Sequence, residues 1–145
     1  MRLWHKDLIE SLPRQQLLGQ WRECAAIAGM IKSGNLKHSL VSKVLDYPIM
    51  HFVCYCHAIR DETNKRGYRI SKDVLEKIES LIPDSVEPSS LKVYKLSEIF
   101  ENWHNDRYLR QCFYNLEEKY DCGLITEEEF KPILHAFREK SLVFR

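Results

Sequence analysis

Apolar residues recur at steps of three and four along most of the chain, which is the spacing that places them on one face of an α-helix. This spacing is clearest between residues 13 and 32, where we predict the main helix. Pro13 is tolerated in a first helical turn, and Gly34 suits the left-handed position that ends a helix. The apolar face of this helix comprises Leu17, Trp21, Cys24, Ala28 and Ile31.

The same periodicity predicts further helices, while strand-like alternation is not evident. Asp7 is predicted to cap a short turn through Leu12, and Thr126 and Glu129 form a capping box that opens the last helix. A loop is predicted near 83–90, where Pro and Ser accumulate. We therefore predict an all-α fold of about six to seven helices in a single domain over 1–145. The other predicted helices cover residues 36–45, 48–66, 71–81, 96–103 and 105–120.

Composition places the chain among ordinary globular proteins. It has 145 residues, of which 44% are apolar and 30% charged, with a formal net charge of +1. This balance excludes a disordered chain and a strongly basic tail. Residues 1–45 carry seven basic and three acidic groups, whereas residues 81–145 carry nine basic and twelve acidic groups. A polyanionic partner is therefore expected to meet the N-terminal part first.

Cellular location is predicted from what the sequence lacks. No apolar run reaches the length of a membrane span, and the first residues do not resemble a signal peptide. The five cysteines are an odd number, which favours reduced thiols. We predict a cytoplasmic monomer without membrane association.

Two segments superficially suggest metal sites. His51, Cys54, Cys56 and His57 lie close together in sequence, but Cys56 falls on a different helical face, so core packing is the favoured interpretation. The segment 121–129 lacks the alternating oxygen ligands of a calcium loop. We predict no metal and no other cofactor.

The main helix carries the most suggestive polar residues. Arg22 and Glu23 are adjacent, and Glu23 has Gly19 one turn before it, so little side-chain bulk is expected around its carboxylate. Gln16 and Gln20 lie toward the same side. Such a carboxylate suits a site that a sugar or phosphate approaches closely. The alternative is a solvated Arg22–Glu23 pair on an ordinary amphipathic helix.

The N-terminal motif resembles the pyrimidine dimer DNA glycosylase family. The chain opens Arg2-Leu3-Trp4-His5, and the main helix then matches the family's signature helix at Leu12, Gln15, Leu17, Trp21, Arg22 and Glu23. Further similarity covers Lys65-Arg66-Gly67-Tyr68 and the segment 104–109. The resemblance implies an all-α fold, in agreement with the periodicity.

The resemblance also implies an activity and a mechanism. The implied activity is that of a DNA glycosylase with abasic-site lyase activity, which needs no metal or cofactor. The family's nucleophile is the chain's own α-amine. Arg2 is too bulky for ordinary removal of the initiator, so the amine here belongs to Met1, with Lys6 carrying the nearest alternative amine. Glu23 is expected to stabilise positive charge and transfer protons at the sugar.

The implied partner is double-stranded DNA carrying a damaged base or an abasic site. Arg2 and Arg22 are expected to hold phosphates. We also assign Arg14, Gln15 and Gln16 to DNA binding.

Two other functions stay open at the level of sequence. The family has a further arginine one turn beyond the glutamate, where this chain has Cys24-Ala25-Ala26-Ile27, and a histidine where this chain has Gln16. A DNA-binding helical module without catalysis is therefore one alternative. A protein-interaction module is the other, although it leaves the first 25 residues unexplained.

Overall fold

The computed structural model describes residues 1–84 and 91–142, with side chains described through residue 140. This part of the chain forms six α-helices and two short 3-10 helices, and it contains no β-strand. The predicted all-α fold is confirmed. The 3-10 helices span Lys6–Ser11 and Leu96–Glu98. The α-helices are α1 (Arg14–Ser33), α2 (Ser39–Leu45), α3 (Ile49–Lys65), α4 (Lys72–Glu79), α5 (Asp106–Asp121) and α6 (Glu127–Leu142).

The main helix, α1, has nearly the predicted bounds because its end signals are local. Pro13 occupies the N-cap in an extended conformation. Gly34 ends the helix with φ of 76°, a left-handed conformation that favours glycine, and its N–H donates to the carbonyl of Ile31 at 3.2 Å. The helix buries Leu17, Gln20, Trp21, Cys24, Ile27 and Ala28.

Helix α1 packs against α3 and α4, while α6 packs against α5 and the first 3-10 helix. A single buried cluster extends along the chain from Leu3 to Ile133. The α1–α4 contact is close, since a Cβ added at Gly29 would lie 2.8 Å from Nζ of Lys77. Burial of a large apolar side chain contributes roughly 1.5–3 kcal/mol, so this cluster fixes the N-terminal segment within the fold.

Two predicted helix starts are wrong. The first turn is capped by His5 and not by Asp7, because the His5 Nδ1 atom accepts the Asp7 N–H at 3.0 Å. Helix α2 begins at Ser39 and not at Leu36, because His38 is its N-cap and accepts the Leu40 N–H at 3.2 Å. In both cases a histidine ring supplies the capping acceptor.

The predicted helix over 96–103 is also wrong beyond its first turn. Ile99 is extended, and Phe100 and Asn102 have φ of 56° and 69°. The buried N–H of Phe100 donates to Nδ1 of His51 at 3.0 Å, so a tertiary hydrogen bond replaces a helical one.

The capping box of the last helix is confirmed, since the Glu129 N–H donates to Thr126 Oγ1 at 3.2 Å and the Thr126 N–H to Glu129 Oε1 at 3.0 Å. The predicted loop near 83–90 lies largely outside the described residues. The single-domain organisation stays a prediction. In the described part of the chain, no helix combines the length and apolar character needed to span a membrane.

Candidate active site

Glu23 lies on α1, half-buried, with the N-terminal segment against it. Its Oε2 atom accepts the main-chain N–H of Arg2 at 3.2 Å and the side-chain amide of Gln20 at 3.0 Å. No hydrogen bond from another described residue reaches its Oε1 atom. The expectation of a bare surface around this carboxylate is therefore wrong, because the chain itself covers one side of it. Of its two carboxylate oxygens, Oε2 is held by the protein and Oε1 has no donor among the described residues.

Gln20 connects this carboxylate to the N-terminal segment. Its side chain is 1% exposed. The Oε1 atom accepts the Trp4 N–H at 2.6 Å, and Nε2 donates to the Arg2 carbonyl at 2.8 Å as well as to Glu23. A main-chain N–H can only donate and a carbonyl can only accept, so these partners fix which end of the amide is oxygen. The helical spacing predicts that Gln20 lies toward the side of Glu23, but it indicates no role for this side chain.

Two tyrosines from other helices also hold the N-terminal segment in place. The hydroxyl of Tyr55 on α3 lies 2.7 Å from the Trp4 carbonyl and 2.8 Å from Gln20 Oε1, and it shares its one proton between them. The hydroxyl of Tyr108 on α5 donates to the Leu3 carbonyl. Burial raises the pKa of both hydroxyls, so they remain donors at neutral pH. Residues 2, 3 and 4 are thus each held by a side chain from another element.

Met1 lies just outside these contacts and is 52% exposed. Among the described residues its amine makes no ion pair with Glu23, whose nearest N-terminal donor is the Arg2 nitrogen. The Arg2 guanidinium lies over the Trp4 ring, 5.0 Å from its centroid. The structure therefore brings the N-terminal segment and Glu23 together and leaves the predicted nucleophile exposed one residue further out.

Four of the residues assigned to DNA binding lie on α1, all before Glu23 in the sequence. Arg14, Gln15 and Arg22 are exposed and Gln16 is half-buried. Among the described residues no carboxylate lies within ion-pair distance of Arg22. The alternative of a solvated Arg22–Glu23 pair on an ordinary helix stays a prediction. The Nη2 atom of Arg22 lies 3.7 Å from where a Cβ on Gly19 would stand.

A basic surface that sequence analysis missed adjoins these residues. A cleft of about 390 Å³ separates α1 from residues 69–74, and Arg22 and Arg69 line its two sides. Arg14 lies over the ring of Tyr68, 5.3 Å from its centroid. The excess of basic over acidic residues in the N-terminal part was the sequence signal for this surface, but the approach of Arg69 to α1 is tertiary.

A buried histidine pair lies on the other side of the N-terminal segment. The rings of His5 and His104 are 5.0 Å apart, and His104 Nδ1 accepts the Lys6 N–H at 2.9 Å. Burial lowers the pKa of His104 well below its usual value and also lowers the pKa of His5. Lys6, the alternative amine, directs its Nζ to the carbonyls of Ser97 and Ile99 at 3.1 Å and 2.5 Å. The side-chain amine of Lys6 is therefore occupied by hydrogen bonds to these two main-chain carbonyls.

The His51–His57 segment serves in packing. His51 accepts the N–H of Phe100, Cys56 is buried, and His57 Nε2 lies 3.2 Å from Glu79 Oε1. Within residues 1–84 and 91–140, no three His, Cys, Asp or Glu side chains are grouped as metal ligands. The side chains of His51 and His57 therefore contact separate partners.

The geometry defines an all-helical protein in which a half-buried glutamate on the first long helix faces the protein's own N-terminal segment, beside exposed arginines. A family model described as pyrimidine dimer DNA glycosylase matches residues 1–76, just over half of the chain. The chain belongs to this family. No curated protein and no solved structure matches it.

Proposed function

We propose that this protein is a DNA glycosylase with abasic-site lyase activity, acting on pyrimidine dimers or related lesions in double-stranded DNA. The nucleophile is the α-amine of Met1, and Glu23 is the catalytic carboxylate. No metal or cofactor takes part. Membership of the family supports a DNA substrate, and the residues around Glu23 support the mechanism.

The observation that carries this proposal is the contact between Glu23 and the N-terminal segment. Glu23 Oε2 accepts the Arg2 N–H at 3.2 Å, although 21 residues separate the two positions. A carboxylate placed one residue from the α-amine is available to the same sugar that the amine attacks. An α-amine titrates near 8, against about 10.4 for lysine, so a useful fraction is unprotonated at neutral pH.

In the first step, the amine nitrogen bonds to C1′ of the deoxyribose and the bond from C1′ to the base breaks. The base leaves with the bonding electrons and takes up a proton. The bond from C1′ to O4′ then breaks, O4′ keeps the bonding electrons and takes up a proton, and C1′ forms a protonated imine with the amine nitrogen. The carboxylate of Glu23 stabilises the positive charge of this imine. Glu23 then removes a proton from C2′, the bond from C3′ to the phosphate oxygen breaks, and water later releases the amine.

The arginines along α1 support the DNA contacts. We propose that Arg2, Arg14 and Arg22 bind phosphates and that Gln15 and Gln16 contact the sugar or base edges. Arg69 extends the same surface across the cleft beside Arg22. The damaged nucleotide reaches Glu23 by unstacking, which costs least where pairing is already weakened.

Borohydride trapping on a duplex with one abasic site tests this function. Untagged protein should give a covalent adduct, which mass mapping should place on the amine of Met1. A short N-terminal tag should abolish trapping, because the α-amine is then no longer beside Glu23. An adduct on a lysine side chain would refute the assignment of the nucleophile.

A pair of matched variants tests the role of Glu23. Glu23→Gln keeps an acceptor for the Arg2 N–H and should lower strand cleavage by about 100-fold or more, with DNA binding retained. Glu10→Gln, an exposed position in the same N-terminal region, should cleave like the unaltered protein. If untagged protein binds DNA in a salt-sensitive manner but neither traps nor cleaves, the chain is a DNA-binding module without catalysis.

A further inference from the structure

We infer that Gln20 is a positioning residue for the imine-forming reaction: its amide fixes the main chain of Arg2–Trp4 against Glu23 and so determines where the α-amine leaves the protein surface. The inference rests on the proposed function and adds a residue to which neither the family match nor the sequence motif gives a role.

The amide of Gln20 is fully used. A glutamine amide offers two donor hydrogens and two acceptor lone pairs. Here the hydrogens go to the Arg2 carbonyl and Glu23 Oε2, and the lone pairs receive the Trp4 N–H and the Tyr55 hydroxyl. A buried polar group with every position paired is rigid, because any rotation leaves a partner unsatisfied.

The orientation of this amide is unique. A flip by 180° would set NH₂ against the Trp4 N–H and set oxygen against both the Arg2 carbonyl and Glu23 Oε2. All three contacts would become repulsive. Tyr55 reinforces the observed orientation from α3, with its hydroxyl 2.8 Å from Gln20 Oε1.

The hydrogen bonds of the Gln20 amide have two effects. It ties both ends of a three-residue segment to α1, and it presents one oxygen of Glu23 in a fixed place through the 3.0 Å contact from Nε2. Gln20 is buried and acts through its partners, because it contacts Glu23 Oε2 and the main chain of Arg2 and Trp4. Its effect on rate comes through the distance between the α-amine, the sugar and Glu23, and misplacement by about 1 Å can cost about 100-fold.

Gln20→Glu is the informative variant because it keeps the shape and the acceptor for Trp4. When ionised, its second oxygen would face the Arg2 carbonyl and Glu23, where the native amide donates. When protonated, its hydroxyl could again donate to one of them. The variant's rate relative to the unaltered protein should therefore recover as pH falls, a pattern that a general loss of stability does not produce.

The experiment is single-turnover cleavage and borohydride trapping on an abasic-site duplex between about pH 5.5 and 8.5. Gln20→Glu should cleave at least about 10-fold more slowly at pH 7.5, with the DNA Kd within about twofold, and the deficit should shrink toward pH 5.5. Gln111→Glu makes the same charge change at an exposed position on α5 and should match the unaltered protein at every pH.

A second variant serves if Gln20→Glu does not fold. Tyr55→Phe keeps the ring in the core and removes only the hydroxyl that fixes the amide, and it should slow single-turnover cleavage by about threefold or more. If the folded variants react at the rate of the unaltered protein, the positioning role of Gln20 is overturned and the proposed function is not. Failure of the unaltered protein to trap or cleave overturns the proposed function, and this inference with it.

Discussion

The hydroxyl of Tyr108 donates a hydrogen bond to the carbonyl of Leu3 at 2.5 Å, which joins α5 to a segment 105 positions earlier in the chain. The Leu3 residue is fully buried, so its carbonyl has lost contact with water. Helix α5 therefore takes part in the candidate active site, although the family match ends at residue 76.

Removing this hydroxyl should destabilise the protein. Tyr108→Phe leaves the Leu3 carbonyl without its donor, and we expect the free energy of unfolding to fall by about 1–2 kcal/mol. Chemical denaturation measures the difference. Tyr114→Phe is the matched control, because Tyr114 lies on the same helix with 56% of its side chain exposed, and its effect should stay within about 0.5 kcal/mol. Equal effects in the two variants would argue against a structural role for the Tyr108 bond.

Stability should fall in mild acid because of the buried histidines. Burial lowers the pKa of His104 in the folded state, while a histidine in the unfolded chain titrates near 6.5. The contribution of His104 is therefore complete above about pH 6.5 and is lost as pH falls below it, by up to about 1.4 kcal/mol per pH unit. Urea unfolding at a series of pH values should show this slope.

His104→Asn should reduce that slope, since Asn retains an acceptor for the Lys6 N–H but does not titrate. The exposed His135 on α6 provides the comparison, and His135→Asn should leave the slope nearly unchanged. A slope that is the same in His104→Asn as in the unaltered protein would assign the acid sensitivity to other groups, of which His5 is the nearest.

DNA affinity should depend on salt through the basic surface around the cleft. If Arg22 and Arg69 each neutralise one phosphate, replacing either by Ala should lower the slope of log K against log[salt] by about 0.9. Fluorescence anisotropy on an abasic-site duplex over a range of salt concentrations gives this slope. Lys131→Ala removes a cation from α6, beside Glu128, and should leave the slope unaltered. An unaltered slope in Arg69→Ala would restrict the phosphate contacts to α1.

The cysteines should differ sharply in reactivity. Cys122 is exposed, whereas Cys24, Cys56 and Cys112 are buried, and burial raises the pKa of the Cys56 and Cys112 thiols. A brief treatment with iodoacetamide should modify Cys122 first, because the thiolate is the reactive form. Mass mapping identifies the product, and the same treatment in denaturant should modify all five. Early modification of Cys56 in the native protein would contradict its buried position.

The elements that could be predicted from the sequence are those whose signals are local. Helix α1 follows from one apolar face between Pro13 and Gly34, and α6 from the Thr126–Glu129 capping box. The segment 96–103 could not be predicted in this way, because the partner of the Phe100 N–H is His51, 49 positions away.

The same distinction between local signals and tertiary contacts applies to the candidate active site. Glu23 and Arg22 were singled out through a short motif on one helix, and the family resemblance implied that Glu23 acts together with the chain's α-amine. The part played by Gln20 could not be predicted, since its bonds reach Arg2 and Trp4 in the N-terminal segment and Tyr55 on α3. In the sequence, Gln20 resembles an ordinary polar residue on a helix, yet its side chain connects these three partners.

Attachment of Leu3 to Tyr108 has a consequence during protein synthesis. Leu3 is synthesised 105 positions before Tyr108, so this contact can form only after α5 has been made. A chain that ends before α5 retains the contacts of Arg2 and Trp4 with Gln20 but lacks the donor to the Leu3 carbonyl. The N-terminal segment therefore acquires its full set of described anchors only when the polypeptide extends through α5.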